Sequence, residues 1–123
     1  MALTHVDRKV MEPSRRKSAT VRLFVDSRAA FSVIPGDVLR NLGVKPDDTR
    51  HFELANGETI ERKIGSTWFE VKGHRGAGPV VFGEPGDAKL LGVVTLECLG
   101  LAFDPLRREI KPLRLLMVRL VPV

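Results

Sequence analysis

Short runs in which hydrophobic and polar residues alternate dominate this chain, and they predict a protein built mainly from short β-strands. Residues 3–11 and 19–25 predict two strands that pair as a hairpin around the polar loop 12–18. Residues 30–35, "AFSVIP", predict a third extended segment. A single acidic residue, Asp26, lies between the second and third of these segments.

One helical segment follows the third predicted strand. In residues 36–44, "GDVLRNLGV", the side chains of Val38, Leu39 and Leu42 share one face. Gly43 occupies the position that a glycine often takes after the last turn of a helix. These residues therefore predict one short helix that ends near Gly43.

The dipeptide Asn56-Gly57 lies between two alternating segments, which is a strong signal for a tight β-hairpin. The arms of this hairpin are polar, so we expect it to project from the body of the protein. Residues 66–73 and 77–87 predict two further strands, and residues 89–105 predict a strand, a helical turn at 95–99 and another strand. The apolar segment 109–123 is strand-like and predicts pairing, because an unpaired apolar strand tends to aggregate.

The composition fits one soluble domain spanning residues 1–123, with 43% hydrophobic and 28% charged residues. The net charge of +5 admits a nucleic-acid partner if the basic residues cluster on one face. Most of them are scattered singly, and the clusters at 15–17 and 107–108 fall in predicted loops. We therefore favour a protein without a nucleic-acid partner, and a basic nucleic-acid-binding β-domain remains an alternative.

The single cysteine, Cys98, excludes an internal disulfide and a cysteine-rich zinc site. Its leucine neighbours predict a buried side chain. The three histidines are far apart in the sequence and have no second ligand at metal-site spacing, so we expect no metal and no other cofactor. With no signal pattern and no membrane-spanning apolar run, the expected location is cytoplasmic, without membrane association.

Asp26 is the residue whose chemistry needs an explanation. It follows the apolar stretch "RLFV" and precedes a second apolar stretch, so its carboxylate is expected to be partly desolvated at a strand end. An aspartate in that place either accepts hydrogen bonds from a turn or serves a functional site. The residues alone leave both interpretations open.

The order of motifs resembles the retropepsin-like aspartic proteases, in particular their small prokaryotic single-domain members. The family motif V-D-T-G-A-x-x-S-V-I-P is similar to "VDSRAAFSVIP" at residues 25–35. Blocks with the family's order and spacing follow at residues 42–46, 52–65, 80–101 and 103–113. The similarity therefore covers almost the whole chain.

The resemblance implies an all-β, mainly antiparallel, closed acid-protease barrel with one or two short helices. It also implies a homodimer that hydrolyses peptide bonds in polypeptide substrates without a cofactor. Asp26 and the Asp26 of the second chain would share one proton and activate a water molecule between them. The sequence alone does not define cleavage specificity.

Individual site residues follow from the same resemblance. Asp26 and Ser27 match the catalytic positions, and the Ser27 hydroxyl would bond across the dimer axis. Arg28 and Ala29 match substrate-binding positions next to them, and the hairpin tip would close over an extended substrate as a flap. Ala55, Asn56 and Gly57 form that tip, and Leu90, Leu91 and Gly92 match the element that packs under the catalytic loop.

Arg28 departs from the family pattern, which has glycine at this position. A guanidinium beside Asp26 favours the ionised carboxylate and opposes the shared-proton state. Two functional hypotheses follow: an aspartic endopeptidase with activity impaired by Arg28, or an inactive retropepsin-like dimer that binds peptides or serves assembly. Both hypotheses require a dimer, and the apolar segment 113–123 is a candidate for the dimer interface.

Overall fold

The structure is a computed structural model that describes the backbone of residues 4–122 and the side chains of residues 8–122. The predicted strand start at Leu3 lies outside the described residues. Strand β1 covers Thr4–Met11 and pairs antiparallel with β2, Ser18–Val25, as predicted. Strand β3, Ser32–Pro35, leads into helix α1, Gly36–Asn41. Gly43 follows the helix with φ +83°, so the predicted helix end is confirmed.

The second half of the described chain holds a long hairpin, a short helix and a small sheet. Strands β4, Asp48–Glu53, and β5, Thr59–Val71, form the predicted hairpin. Strand β6, His74–Gly83, pairs with β5, and β7, Leu90–Leu91, precedes helix α2, Val93–Cys98. Strands β8, Leu101–Asp104, and β9, Glu109–Pro112, form a separate two-stranded sheet.

One sheet closes on itself around the core. Its strand order is β1-β2-β7-β3-β6-β5-β4, and an additional β1–β5 pairing joins the two sides. Inward-facing residues alternate along β2, where Val21, Leu23 and Val25 are buried. The fully buried core also contains Val10, Ile34, Leu39, Phe69, Val71, Val80, Leu91, Leu96 and Leu101. The predicted all-β class with two short helices is confirmed.

Three details differ from the sequence predictions. The return arm of the hairpin and the predicted strand 66–73 form one continuous 13-residue strand, β5. The first half of β5 pairs with β4 and the second half pairs with β6. Cys98 is exposed rather than buried, since it lies at the end of α2 on the side away from buried Leu96 and Leu99. Residues 113–122 form no strand; Leu113 is half-buried, and the apolar side chains from Leu115 onwards are exposed.

No helix within residues 4–122 has both the length and the apolar character needed to cross a membrane.

Candidate active site

Asp26 begins a tight turn directly after β2. Its carbonyl oxygen accepts a hydrogen bond from the Ala29 N–H at 3.1 Å, and its Oδ1 accepts one from the Arg28 N–H at 2.9 Å. The Asp26 side chain is only 13% exposed. The turn therefore fixes a largely buried carboxylate at the end of a core strand, and the Asp26 side chain accepts a hydrogen bond within its own turn.

The guanidinium of Arg28 lies beside this carboxylate. Its Nε is 3.4 Å from Asp26 Oδ1, while the Arg28 side chain stays 69% exposed. The Arg28 backbone does not adopt positive φ, so the turn accommodates a side chain here without the strain that would require glycine. Arg28 is thus compatible with the fold, and its guanidinium lies within ion-pair distance of the Asp26 carboxylate.

Strand β7 and Gly92 support the turn from below. Leu91 is buried and pairs with Val25 of β2, while Leu90 pairs with Val33 of β3. A Cβ atom placed on Gly92 would lie 2.4 Å from the Ala30 carbonyl oxygen and 2.5 Å from the Phe31 carbonyl carbon. Gly92 is therefore required for the close approach of two backbone segments.

The first residues of α2 and two buried hydroxyl groups complete this support. Val93 and Val94 donate backbone hydrogen bonds to the carbonyls of Ala29 and Ala30, at 2.8 and 3.1 Å. Ser32 Oγ accepts a hydrogen bond from the Gly92 N–H at 2.9 Å and lies 2.6 Å from Thr95 Oγ1. Neither Ser32 nor Thr95 was assigned to the site from the sequence, although each interrupts an apolar stretch and Ser32 matches the serine of the family motif.

Substituting Gly92 by alanine is expected to destabilise the protein strongly, because the new Cβ would overlap backbone atoms that cannot move independently. We expect a loss of about 3 kcal/mol or more in the free energy of unfolding, measured by urea denaturation. Gly36→Ala is the matched control, since its new Cβ would meet mainly the flexible end of the Arg40 side chain. Equal stability of the two variants would contradict the role assigned to Gly92.

The β4–β5 hairpin extends over the same side of the molecule. At its tip Gly57 has φ +89°, and the Asn56 side chain accepts a hydrogen bond from the Glu58 N–H at 2.9 Å. Ala55, Asn56 and Gly57 are all exposed. The predicted hairpin is therefore present, and its tip is accessible.

A cleft of about 570 Å³ lies between the hairpin, the turn after Asp26 and the loop 84–88. Arg28 and Ala29 line it, whereas Ala55, Asn56 and Gly57 are not among the residues that line it in a single chain. The rings of Phe31 and Phe52 meet edge to face at 6.1 Å, so the base of the hairpin packs against the segment that follows the turn. Ser27 is exposed next to Asp26.

An ion-pair cluster that the sequence analysis missed fixes the hairpin to the loop 84–88. Arg62 of β5 binds both carboxylate oxygens of Asp87, at 2.7 and 3.0 Å, and its Nη1 lies 2.7 Å from Glu84. The hydrogen bonds from Arg62 lower the pKa of Asp87 and raise the pKa of Arg62. Because Arg62 is only 17% exposed, this bidentate pair is shielded from solvent and holds one wall of the cleft.

The cluster predicts a specific pH dependence. Since the pKa of Asp87 is lower in the folded state, its contribution to stability is present above its unfolded pKa of about 3.9 and is lost as the pH falls through the folded value. We expect Asp87→Asn to lower the free energy of unfolding by about 1–3 kcal/mol at pH 7, and by less near pH 2. Asp37→Asn, which removes an exposed pair with Arg40, is the control and should change little at either pH. A pH-independent difference for Asp87→Asn would contradict this role.

Among the residues whose side chains are described, no group of three His, Cys, Asp or Glu is placed to hold a metal ion.

Comparison with solved structures shows a similar fold in a viral protease. The solution structure of the simian foamy virus (mac) protease aligns with a TM-score of 0.53 and 17% sequence identity, covering 76% of this chain and 92% of that chain. No protein-family model and no curated protein matches the sequence. The chain thus has a retropepsin-like fold, and at this identity the likeness shows the fold alone.

Proposed function

We propose that this chain is an aspartic-type endopeptidase that is active as a homodimer. The observation that carries the proposal is the position of Asp26, whose side chain is 13% exposed in a turn beside a cleft of about 570 Å³. The retropepsin-like fold supports the same assignment, because the similar viral protein is a protease.

The proposed mechanism uses two copies of Asp26. Each chain supplies one carboxylate, and two carboxylates about 3 Å apart cannot both ionise, so they share a proton. The ionised Asp26 takes a proton from a water molecule, which attacks the scissile carbonyl carbon, while the protonated Asp26 donates to the carbonyl oxygen. The first Asp26 then passes the proton that it took from water to the amide nitrogen, which leaves as an amine when the C–N bond breaks.

Other residues of the site have supporting roles in this proposal. Ser27 bonds across the dimer axis and holds the two turns together. The hairpin tip formed by Ala55, Asn56 and Gly57 closes over a substrate that binds as an added strand, in contact with the backbone near Arg28 and Ala29. Leu91 and Gly92 keep each turn fixed from below.

Exposed apolar side chains in the segment 113–122 support dimerisation. Leu116, Met117, Val118 and Leu120 are 79–95% exposed in the single chain. So many exposed apolar side chains in one segment favour burial against a partner. A second copy of the chain is the partner that the two-carboxylate mechanism also requires.

The experiment that tests the proposal combines sedimentation with proteolysis. The protein is incubated with an unfolded polypeptide between pH 4 and pH 7, and products are identified by mass spectrometry at concentrations above and below the dimer dissociation constant. We expect cleavage that appears together with the dimer. A monomer at micromolar concentration, or cleavage that does not depend on dimerisation, would contradict the proposal.

A second candidate function is a dimeric module that binds or assembles with peptides without cleaving them. The observation that favours it is the 3.4 Å contact between Arg28 Nε and Asp26 Oδ1, because the guanidinium occupies an oxygen needed for the shared proton. Substrate binding without cleavage by the dimer, together with cleavage by Arg28→Gly, would identify the native chain as this module.

A further inference from the structure

The walls of the cleft are largely apolar. Half-buried side chains of Phe31, Val33, Phe52, Ile60 and Leu90 line it. A cavity of about 570 Å³ with this lining has room for a large aliphatic or aromatic side chain. One side chain of a bound peptide is therefore expected to be apolar.

Charged groups at the rim of the cleft are mostly engaged with one another. Arg62 is held by Asp87 and Glu84, as described above. Among the remaining rim groups, Arg50 pairs with Asp48 at 3.2 Å and Glu53 adds a negative charge. His51 Nε2 lies 3.2 Å from the Glu61 carboxylate.

Arg28 differs from these rim groups. It is 69% exposed, and its ion pair with Asp26, at 3.4 Å through Nε, is longer than a usual charge-assisted bond of about 2.7–2.9 Å. Within the described part of the chain, no hydrogen bond uses its two terminal nitrogens. Arg28 can thus offer two donors to a carboxylate in the cleft while its Nε remains near Asp26.

We infer that the cleft selects extended peptides in which an acidic side chain lies two residues from a large apolar one. In an extended strand, side chains two residues apart point to the same side, about 6.6 Å apart. The apolar side chain fills the cavity and the carboxylate pairs with Arg28, which lines the same cleft. This inference rests on the proposed function in so far as the cleft must hold an extended peptide.

The test measures binding of fluorescein-labelled peptides to the dimer by anisotropy. One peptide has the core Ala-Glu-Ala-Phe-Ala-Glu-Ala, and its partner has glutamine in place of both glutamates. We expect the wild-type protein to bind the glutamate peptide about fivefold more tightly, as for a favourable solvent-exposed ion pair, and less so at high salt. A third peptide, with glutamates directly beside the phenylalanine, should show a smaller preference.

Three variants identify the source of the preference. Arg28→Gln should bind both peptides equally, whereas Arg107→Gln removes the same charge from an exposed position outside the cleft and should leave the preference unchanged. Asp26→Asn frees Arg28 from its carboxylate partner and should strengthen the preference. Circular dichroism checks that each variant is folded.

The outcomes separate this inference from the proposed function. A glutamate preference that depends on Arg28, found without any cleavage, supports the inference and contradicts the proposed enzyme. Three results would overturn the inference. They are cleavage without a glutamate preference, a glutamate preference that persists in Arg28→Gln, and no binding of either peptide.

Discussion

Replacing Arg28 by glycine is expected to raise the rate of peptide cleavage by about tenfold or more. The substitution removes the guanidinium whose Nε lies 3.4 Å from Asp26 Oδ1. A pair whose guanidinium is exposed to solvent contributes up to about 1 kcal/mol, the proposed dimer would contain two such pairs, and about 1.4 kcal/mol corresponds to a factor of ten in rate. A glycine also allows a substrate backbone to approach the carboxylates more closely.

The measurement is kcat/KM for an unfolded substrate that contains no acidic residues. With such a substrate, the loss of ion pairs between substrate and Arg28 cannot offset the expected gain in cleavage rate. Arg107→Gln is the charge-matched control and should behave as wild type. Because both arginine side chains are exposed and glycine accepts any backbone conformation, neither variant is expected to misfold. Equal rates for wild type and Arg28→Gly would show that Arg28 does not restrain the site.

Replacing Asp26 by asparagine is expected to reduce cleavage by at least about a thousandfold, in the wild-type and in the Arg28→Gly protein. An amide can neither accept the proton of the attacking water nor share a proton with the second Asp26, and positioned acid–base groups contribute about 10²–10⁴-fold to rates. The asparagine oxygen can still accept the hydrogen bond from the Arg28 N–H, so the turn should keep its conformation.

This prediction is checked by product analysis together with thermal denaturation. A folded, dimeric Asp26→Asn protein without activity supports the assignment of Asp26. Cleavage retained by this variant would place the reaction elsewhere or identify a contaminating protease.

Local signals in the sequence predicted the elements that frame the site. The Asn56-Gly57 hairpin, the helix that ends near Gly43 and the position of Asp26 after a buried strand depend on residues next to one another in the chain. Turn geometry and side-chain alternation depend on residues that are close together in the chain, so the sequence alone was sufficient to predict these features.

Features that depend on distant residues could not be predicted in the same way. The Ser32–Thr95 contact and the Arg62–Asp87 pair exist only because the closed sheet brings their strands and loops together. The exposure of Cys98 depends on which side of α2 packs against the sheet. The close approach at Gly92 likewise follows from tertiary packing, although the family resemblance had indicated this glycine.

The most direct test of a site shared by two chains is a subunit-mixing experiment in the Arg28→Gly background, where activity is expected to be highest. Chains with and without Asp26→Asn are mixed in equal amounts and allowed to exchange, and cleavage is measured at constant total protein. If each site needs an Asp26 from both chains, only about one quarter of the dimers remain active, so activity falls to about a quarter. Activity that falls only to about one half, in proportion to the intact chains, would contradict a shared pair of carboxylates.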